Sequence, residues 1–509
     1  MKTPKPYEFN LAQYIIEKNR NSQKPALIYI ENPNEIIKYT YKEVIEIIEM
    51  LSQELIQHKK RPFSKVLLRL PSNPNVIFYF FASILAGMIP IPISRMLTKQ
   101  EVGFIMDDAN VDLVICQDLE LPDKLPEKVK VKFISNKMEI PKVSTYQSFE
   151  TPITYSEDPA FMIYTSGTTG RQKGVIHAQR NLIGRTPIQN DWLGIQEDDW
   201  VLHSGELNWT YTLGVGVMDV WSNSATSVLV GSGRNQLSLW TWIMRNFPIT
   251  IFATVPSLYR RLIKYHSHEV SKLSTIRHCL SAGEALKASL WKEWTDLTQK
   301  PLYEALGMTE ISTYISSGPK VPTKPGSPGK PQSGRNVKIL SLEHDREALL
   351  GEVGLIAVHR SDQGLMLGYH NREEEEELVY RGEWFVGGDL AYQDEEGYFW
   401  FQGRNNDIIK SFGYRVSALE VEKVLEQHPE VMEVAVCEIQ KEENLSFITA
   451  FIVKEQNSKL SESDVIEFAK NYLAEYKLPR KVIFLKELPR NLSGKVLKQE
   501  LKQIFDFKI

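Results

Sequence analysis

The stretch Tyr164-Thr-Ser-Gly-Thr-Thr-Gly-Arg-Gln-Lys-Gly-Val175 follows the apolar run Ala160-Phe-Met-Ile163. It holds four serine or threonine side chains, three glycines and two cations. A strand that leads into such a loop brings backbone N–H groups, hydroxyls and a lysine into one small volume, and the glycines let an anion approach the backbone. This composition favours a polyphosphate site made of Thr165, Ser166, Gly167, Thr168, Thr169, Gly170 and Lys173.

The spacing of this stretch differs from the Walker pattern G-x-x-x-x-G-K-[ST], because Lys173 follows Gly170 by three residues and precedes a glycine. An ordinary Thr/Gly surface turn is the alternative interpretation. The motifs in the rest of the chain decide between the two.

Six short motifs follow the glycine-rich stretch along the chain. They are Ser281-Ala-Gly-Glu284, Leu306-Gly-Met-Thr-Glu310, Gly387-Gly-Asp389, Gly403-Arg404, Lys410-Ser-Phe-Gly-Tyr-Arg415 and Leu492-Ser-Gly-Lys495. The whole series resembles the adenylate-forming superfamily, which includes acyl-CoA synthetases, luciferases and nonribosomal adenylation domains. The resemblance extends over nearly the whole chain, and its last two motifs are most similar to the acetate and medium-chain acyl-CoA synthetase branch.

Composition is typical of a soluble enzyme with more than one domain. The chain has 509 residues, of which 42% are hydrophobic and 24% charged. A formal net charge of -4 gives no electrostatic reason to expect a nucleic-acid partner. Cys116, Cys279 and Cys437 lack metal-ligand spacing, so we expect buried thiols in a reducing cytoplasm.

One stretch raises the question of a membrane span, because Val76 to Ile93 carries no charge. Gly87, Pro90 and Pro92 interrupt its second half. We therefore predict a buried helix over 75–86 followed by a buried extended segment, and no integral membrane segment. The polar, proline-broken N-terminus does not have the pattern of a secretory signal.

Short apolar runs alternate with amphipathic stretches, which predicts an α/β fold with parallel sheets covered by helices. We expect a large N-terminal AMP-binding domain over 1–404, with parallel sheets flanked by helices and a β-rich subdomain, and a small mobile α+β domain over 405–509. Predicted strands cover 66–70, 112–116, 227–230, 249–253, 353–359, 398–401, 434–438, 446–453 and 482–485; predicted helices cover 41–58, 257–266, 418–426 and 463–476. The acidic run Glu373–Glu377 is interpreted as a solvated helix face without a site.

The chemistry of joining a carboxylic acid to ATP is mostly charge neutralisation and positioning of an anionic polyphosphate. Within the resemblance, the loop ending at Lys173 contacts the β- and γ-phosphates. Glu310 is the candidate ligand for Mg²⁺, a cation that prefers carboxylate oxygen, and Thr309 donates to the α-phosphate. A helix cap is the alternative for a lone Thr-Glu pair.

The remaining nucleotide contacts are implied by the motifs. Asp389 would accept hydrogen bonds from the ribose hydroxyls, with Arg404 beside it, and Arg415 would reach the ribose or the α-phosphate. The other expected members of the ATP site are Gly283, Glu284, Glu304 and Leu306, and solvated surface is the alternative for the charged ones.

The resemblance also implies a second half-reaction, in which the small domain rotates about a hinge at Asn406. Lys495 would bridge the carboxylate and the α-phosphate during adenylation, since an ammonium is a mobile point charge. After rotation, Gly413 and Tyr414 would line the channel for coenzyme A. A surface lysine is the alternative for Lys495.

Acyl specificity is expected from His203, Trp209, Gly283 and Gly307. Acetate-selective relatives place tryptophan at the position of Gly307, so a glycine predicts an acid larger than acetate. Core packing is the alternative for Trp209. Two positions depart from the common pattern, because Leu306 replaces an aromatic residue and Asn406 replaces an acid or lysine.

Three functions remain open from the sequence. The first is an acyl-CoA ligase using ATP, Mg²⁺ and coenzyme A; the second is an adenylating enzyme that loads a separate carrier protein. The third is a catalytically silent nucleotide-binding protein, suggested by Leu306 and Asn406. The expected partners are a small carboxylic acid and coenzyme A, and a homodimer stays open as the assembly.

Overall fold

The computed structural model describes residues 5–118, 120–126, 128–134, 151–166, 172–405, 408–411, 414–442, 445–456, 458–490 and 496–507. The chain forms two compact units. Unit 1 contains Met1–Asn336 and Val358–Phe385, and unit 2 contains Val337–Ala357 and Val386–Ile509. Two of the three crossings between the units, at 357/358 and 385/386, lie within strands. The predicted domain boundary at 404/405, at the proposed hinge, stays a prediction.

The helices alternate with strands along most of the chain, as the sequence predicts. In chain order they are α1 Leu11–Asn19, α2 Tyr41–Ile56, α3 Pro74–Leu85, α4 Lys99–Asp108, α5 Asn181–Gly184, α6 Thr210–Leu213, α7 Asp219–Trp221, α8 Leu237–Asn246, α9 Pro256–Val270, α10 Ala288–Thr298, α11 Glu373–Leu378, α12 Ala418–Leu425, α13 Glu462–Lys470 and α14 Lys498–Phe507. The described residues also include two π-helical turns, Ile188–Leu193 and Gly214–Met218, and two 3₁₀ turns, Ser232–Asn235 and Glu475–Lys477.

The strands of the first half are β1 Pro25–Asn32, β2 Glu35–Thr40, β3 Lys65–Arg69, β4 Ile89–Pro92, β5 Leu113–Cys116, β6 Lys130–Phe133, β7 Pro159–Ser166, β8 Gln172–Ala178, β9 Trp200–His203, β10 Thr226–Val230, β11 Ile251–Thr254, β12 His278–Ser281 and β13 Leu302–Met308. Those of the second half are β14 Ser312–Ser316, β15 Lys330–Pro331, β16 Val337–Ser341, β17 Gly354–His359, β18 Gly368–Tyr369, β19 Tyr380–Arg381, β20 Trp384–Gln393, β21 Phe399–Arg404, β22 Ile408–Ser411, β23 Tyr414–Ser417, β24 Val431–Glu442, β25 Leu445–Lys454 and β26 Lys481–Leu485.

The largest sheet of unit 1 has the order β15-β14-β13-β12-β11-β9-β10-β1-β2. Its centre is parallel from β13 to β1, and antiparallel strands close both edges. A second sheet, β4-β3-β5-β6, is parallel throughout. Parallel strands need crossovers, usually helices, that cover the sheet faces, and the predicted α/β class is confirmed.

Helix α3 shows why the uncharged stretch after position 75 belongs to the core. Asn73 caps its N-terminus by accepting the Asn75 N–H, and a proline occupies the first turn. All twelve helix residues are buried, and β4 follows as the predicted extended segment. None of the helices in the described ranges is long and apolar enough to cross a membrane.

Unit 2 contains the three-stranded sheet β24-β25-β26, with α12, α13 and α14 contributing to its packing. The predicted end of the helix over 463–476 is wrong, because α13 ends at Lys470. Leu473 and Leu478 both join the apolar core of this unit. The chain leaves the helix to bury them, a tertiary preference that local periodicity does not reveal.

Two buried arginine–aspartate pairs of unit 1 hold strand β14 in place. The Arg185 guanidinium donates to both carboxylate oxygens of Asp219, at 2.8 and 2.6 Å, and also to Ser312 Oγ at 2.8 Å. Arg335 donates to Asp362 and to the carbonyl of Thr313. These pairs anchor β14, the strand that follows the Thr-Glu motif. The three cysteines are free and buried, as predicted.

Candidate active site

The glycine-rich stretch connects two strands of an antiparallel hairpin, β7 and β8. Thr165 pairs with Lys173 and Ser166 pairs with Gln172, which confirms the predicted strand before the loop. The third strand, β18, pairs with β8 and places Tyr369 opposite Val175. The tip residues Gly167, Thr168, Thr169 and Gly170 lie outside the described residues, as does the Ser166 side chain.

Lys173 points its ammonium at two partners from the segment 368–378. The Nζ atom lies 3.8 Å from the centroid of the Tyr369 ring and 3.8 Å from Glu375 Oε2. A cation over an aromatic face is attracted by the ring quadrupole. The Lys173 side chain is 14% exposed and that of Glu375 is 34% exposed, so the cation is partly desolvated and paired with a more accessible acid.

Glu310 follows the end of β13, in the turn before β14, where the sequence predicts a strand end. The phenol of Tyr369 donates to Glu310 Oε1 at 2.8 Å, and the Met366 N–H donates to the Glu310 carbonyl at 2.7 Å. Tyr369 lies in β18, and Met366 lies just before this strand. The structure therefore brings Lys173 and Glu310 together through one aromatic side chain, Tyr369.

The carboxylate of Glu310 fits the chemistry of a magnesium ligand. Mg²⁺ is held through one or two protein carboxylates together with substrate phosphates and water. Within the described ranges, no group of three or more His, Cys, Asp or Glu side chains could hold a metal ion alone. A single carboxylate near a lysine that could bind phosphate is compatible with such a shared site.

The Ser281–Glu284 motif lies at the carboxyl end of the parallel strand β12. Gly283 adopts a φ of +89°, a conformation that side chains disfavour. The buried carboxylate of Glu304, on neighbouring β13, accepts the Leu286 N–H at 2.8 Å. Glu304 thus holds the segment after Gly283 in place, and direct contact of Glu304, Gly283 or Glu284 with a nucleotide stays a prediction.

Gly307 has a steric reason to be glycine that the sequence does not show. A Cβ atom at this position would lie 2.6 Å from the carbonyl oxygen of Ser312, on β14. The β13–β14 pairing shifts register between Leu306 and Gly307, and the two backbones come close there. A larger residue would have to move β14, so the glycine also reflects packing and not only the room left for an acyl group.

His203 ends β9, at the carboxyl edge of the large sheet. Its Nδ1 accepts the Gly205 N–H at 3.0 Å, and its ring meets Tyr211 edge-on at 4.4 Å. Nε2 is buried without a hydrogen-bond partner among the described residues. Burial lowers the pKa of His203 to about 3, so the ring is neutral. Trp209 is half-buried just before α6, and the acyl role of both residues stays a prediction.

In unit 2, Asp389 and Arg404, both predicted to lie at the ribose, form an ion pair, and their contact with a ribose stays a prediction. Asp389 on β20 is opposite Arg404 on β21, and Arg404 Nε lies 3.0 Å from Asp389 Oδ1. The carboxylate is buried, while 36% of the Arg404 side chain is exposed. The oxygens of a carboxylate accept hydrogen bonds, as the hydroxyls of a ribose would require. Asn406, Gly413 and Lys495, and the side chains of Tyr414 and Arg415, lie outside the described residues.

Two residues at the site were missed by the sequence prediction. Tyr369 carried no assigned role, and the acidic run was assigned to solvent. Helix α11 forms as expected, but Glu375 and Glu376 are only partly exposed, and Glu375 pairs with Lys173. The sequence signal for these two residues was the pair Gly368-Tyr369 shortly before the acidic run. This pattern is too short to be recognised as a motif.

Two family models match this chain and together cover most of it. The model for AMP-binding enzymes matches residues 16–370, and the model for the AMP-binding enzyme C-terminal domain matches 420–495. An uncharacterized acyl-CoA ligase of Bacillus subtilis is 30% identical, with 98% of this chain and 96% of that protein covered. The mitochondrial acyl-coenzyme A synthetase ACSM3 of Mus musculus is 28% identical, with 98% and 91% covered.

Among solved structures, ATP-bound MatB from Rhodopseudomonas palustris superposes with a TM-score of 0.88 at 24% identity. The superposition covers 98% of this chain and 99% of that one, and it supports the fold. The motif series, which includes the hairpin residue Lys173 and the carboxylate of Glu310, indicates the same family as the two family models. Those models match most of the chain. The chain belongs to the AMP-binding enzyme family.

Proposed function

We propose that this chain activates a carboxylic acid with ATP to an acyl-adenylate and then transfers the acyl group to coenzyme A. The products are the acyl-CoA thioester, AMP and pyrophosphate. The curated relatives reported above carry names of acyl-CoA ligases or synthetases. This chain is therefore an acid–thiol ligase in our proposal, and a protein without catalytic activity is disfavoured.

The observation that supports the proposal most is that Tyr369 contacts both Lys173, on β8 of the hairpin, and Glu310. Lys173 supplies a cation for the β- and γ-phosphates, and the hairpin supplies backbone amides and hydroxyls. Attack of the substrate carboxylate on the α-phosphorus forms the new P–O bond and releases pyrophosphate. Stabilisation of charge on the phosphates is the main protein contribution to such a transfer.

Magnesium, held by Glu310 and the phosphates, would neutralise part of the negative charge that repels the incoming carboxylate. Thr309 would donate its hydroxyl to the α-phosphate. Asp389 would accept hydrogen bonds from the ribose, with Arg404 beside it. Each of these roles follows from the residue type and from the matching motif.

The second half-reaction is assigned to the domain over 405–509. Lys495 would contribute its ammonium to the first step, and rotation about Asn406 would replace it with the face that carries Gly413 and Tyr414. The thiol of coenzyme A then attacks the acyl carbonyl, and AMP leaves with the electron pair of the broken C–O bond. We propose an acid larger than acetate, because no tryptophan fills the position of Gly307.

Location and assembly are further parts of the proposal. Three free, buried cysteines suit a reducing compartment, and we propose the cytoplasm. A homodimer is proposed as the assembly, and the mass of the protein in solution would test it.

A panel of carboxylic acids of graded length tests the reaction class. Each acid is incubated with ATP, Mg²⁺ and coenzyme A, and both pyrophosphate and thioester are measured. Formation of both products with one acid supports the proposal. Pyrophosphate without thioester would indicate transfer to a carrier protein, and no pyrophosphate with any acid would contradict the proposal.

The substitution Lys495→Ala separates the two half-reactions. We expect it to reduce adenylate formation at least about a hundredfold, since a preorganised charge at the transition state contributes roughly 3 kcal/mol. Thioester formation from a supplied acyl-adenylate should stay within about twofold. Pyrophosphate release and acyl transfer are measured independently, in single-turnover experiments.

Lys502→Ala is the matched control, because it removes another lysine of the same C-terminal region. It should leave both half-reactions unchanged. Equal losses of the two half-reactions in Lys495→Ala would contradict the role given to Lys495.

A further inference from the structure

We propose that Tyr369 is a positioning residue for the reaction, because it couples the magnesium ligand Glu310 to the phosphate-binding cation Lys173. Its hydroxyl orients the carboxylate and its ring face holds the ammonium. This inference rests on the proposed function of the same site. It adds a residue to which the motifs assign no role.

The backbone fixes Tyr369 more firmly than the two-residue length of β18 suggests. On one side, Leu367 N–H donates to the Ile176 carbonyl and His370 N–H donates to the Gly174 carbonyl, at 2.8 Å each. On the other side, Met366 N–H donates to the Glu310 carbonyl. Residues 366–370 therefore tie β8, which carries Lys173, to the turn that carries Glu310.

The side chain makes one contact with each functional group. The phenol donates to Glu310 Oε1 at 2.8 Å, and the ring centroid lies 3.8 Å from Lys173 Nζ. A hydrogen bond to one carboxylate oxygen removes rotational freedom from the whole carboxylate. A ligand oriented before the metal arrives loses less conformational entropy when it binds.

The phenol of Tyr369 is the donor in this contact, and the carboxylate of Glu310 is the acceptor. The contact is therefore a charge-assisted hydrogen bond, which is stronger than one between neutral groups. Because Lys173 and Glu310 would both serve the same phosphates, one side chain touching both can align cation and metal.

The substitution Tyr369→Phe tests the inference, since it removes the hydroxyl and keeps a ring beneath Lys173. Binding of a non-hydrolysable ATP analogue is measured by calorimetry with excess Mg²⁺ and again with a chelator. We expect the ratio of the two dissociation constants, without and with Mg²⁺, to fall about tenfold, which corresponds to about 1.4 kcal/mol, as for one hydrogen bond to a charged group. Binding without Mg²⁺ should change less than twofold.

Tyr29→Phe is the matched control. Tyr29 is also a buried tyrosine whose phenol donates to a carboxylate, at 2.6 Å from Glu31 Oε2, but it lies on β1. It should leave the Mg²⁺ dependence of binding unchanged. A loss of folding stability common to both variants cannot produce a change confined to the Mg²⁺ condition.

Glu310→Gln separates failure of the inference from failure of the proposed site. If Glu310→Gln abolishes the Mg²⁺ dependence and Tyr369→Phe retains it, the positioning role is wrong and the proposed function stands. Equal weakening by Tyr369→Phe with and without Mg²⁺ would also overturn it. If Glu310→Gln itself retains the dependence, the metal assignment fails and the inference fails with it. Tyr369→Phe should add nothing in the Glu310→Gln background.

Discussion

Two ion pairs of unit 1 use the same kinds of group in opposite ways. Arg185 and Asp219 have 1% and 0% of their side chains exposed, and their atoms approach to 2.6 Å. Lys173 and Glu375 have 14% and 34% exposed, and they lie 3.8 Å apart. The first pair is sealed and bidentate, whereas the second is loose and partly open to solvent.

The difference between the two pairs indicates which charged side chain could exchange its present partner for a ligand. A buried pair is held by additional hydrogen bonds, here from Arg185 to Ser312 Oγ and from Gln189 to Asp219. Losing either partner would strand a charge in the interior. A partly exposed pair at 3.8 Å is weaker than a buried bidentate one, so we expect a polyphosphate to replace Glu375 as the partner of Lys173 at small cost in free energy.

Asp219→Asn should have the largest effect. Removing one charge of a buried pair leaves the Arg185 guanidinium without a carboxylate, and such changes cost about 3–5 kcal/mol of unfolding free energy. Urea unfolding of the purified protein measures the loss. Nucleotide binding by the fraction that remains folded should be little changed.

Asp198→Asn provides the control for that experiment. The Asp198 side chain is fully exposed and lies 3.7 Å from Lys24. Exposed pairs contribute about 0–1 kcal/mol. Similar small losses for both variants would contradict the distinction between sealed and open pairs.

Much of the fold follows from local sequence, because buried parallel strands are short apolar runs bounded by turns. The predicted strand over 112–116 and the helix over 75–86 appear within one residue as β5 and α3. Helix α13 could not be bounded in this way, since its end is set by burial of Leu473 and Leu478. Periodicity indicates which face of a helix is apolar. It does not show whether the chain buries its next apolar residues by continuing the helix or by ending it.

Residues of the candidate site could be named from the sequence where a charged side chain lies within a recognisable motif. Lys173 and Glu310 combine a charge with a glycine-rich or strand-end context, so both could be named. Tyr369 and Glu310 are 59 residues apart in sequence, and β18 is only two residues long. Gly307 shows the same limit, because the carbonyl oxygen of Ser312, which a Cβ at this position would approach to 2.6 Å, belongs to another strand. Contacts of this kind exist only after the chain folds.

The buried histidines extend the comparison to pH. Burial lowers the pKa of His203 and that of His177 to about 3, from an ordinary value of 6.5. Between these values the unfolded chain binds more protons than the folded one, so stability is full above pH 6.5 and is lost as the pH falls toward 3. Each histidine should contribute a slope of up to about 1.4 kcal/mol per pH unit.

His203→Gln removes one of these titrations. Unfolding free energies measured by urea at several values between pH 6.5 and 4 should show a shallower slope than in the parent protein. His268→Gln is the control, because His268 is an exposed imidazole on α9. Identical slopes for the parent protein and His203→Gln would show that His203 does not stay neutral and buried in the folded chain.

Glu375→Gln should have the smallest effect, and it examines the open pair directly. Removing the carboxylate leaves Lys173 on the ring of Tyr369 without an acidic competitor. Binding of an ATP analogue should tighten about two- to fivefold, since a partly exposed pair contributes less than about 1 kcal/mol. The unfolding free energy should change by less than about 0.5 kcal/mol.

Glu374→Gln separates this local effect from the general loss of one negative charge. Glu374 is an exposed neighbour on the same helix, α11, with the same charge. Arg372 also lies near Glu375, at 3.7 Å, but keeps its contact with Asp108 in either variant. If both substitutions tighten binding equally, the phosphates respond to the overall field of the helix. If only Glu375→Gln does, Glu375 holds the place at Lys173 that the polyphosphate would take.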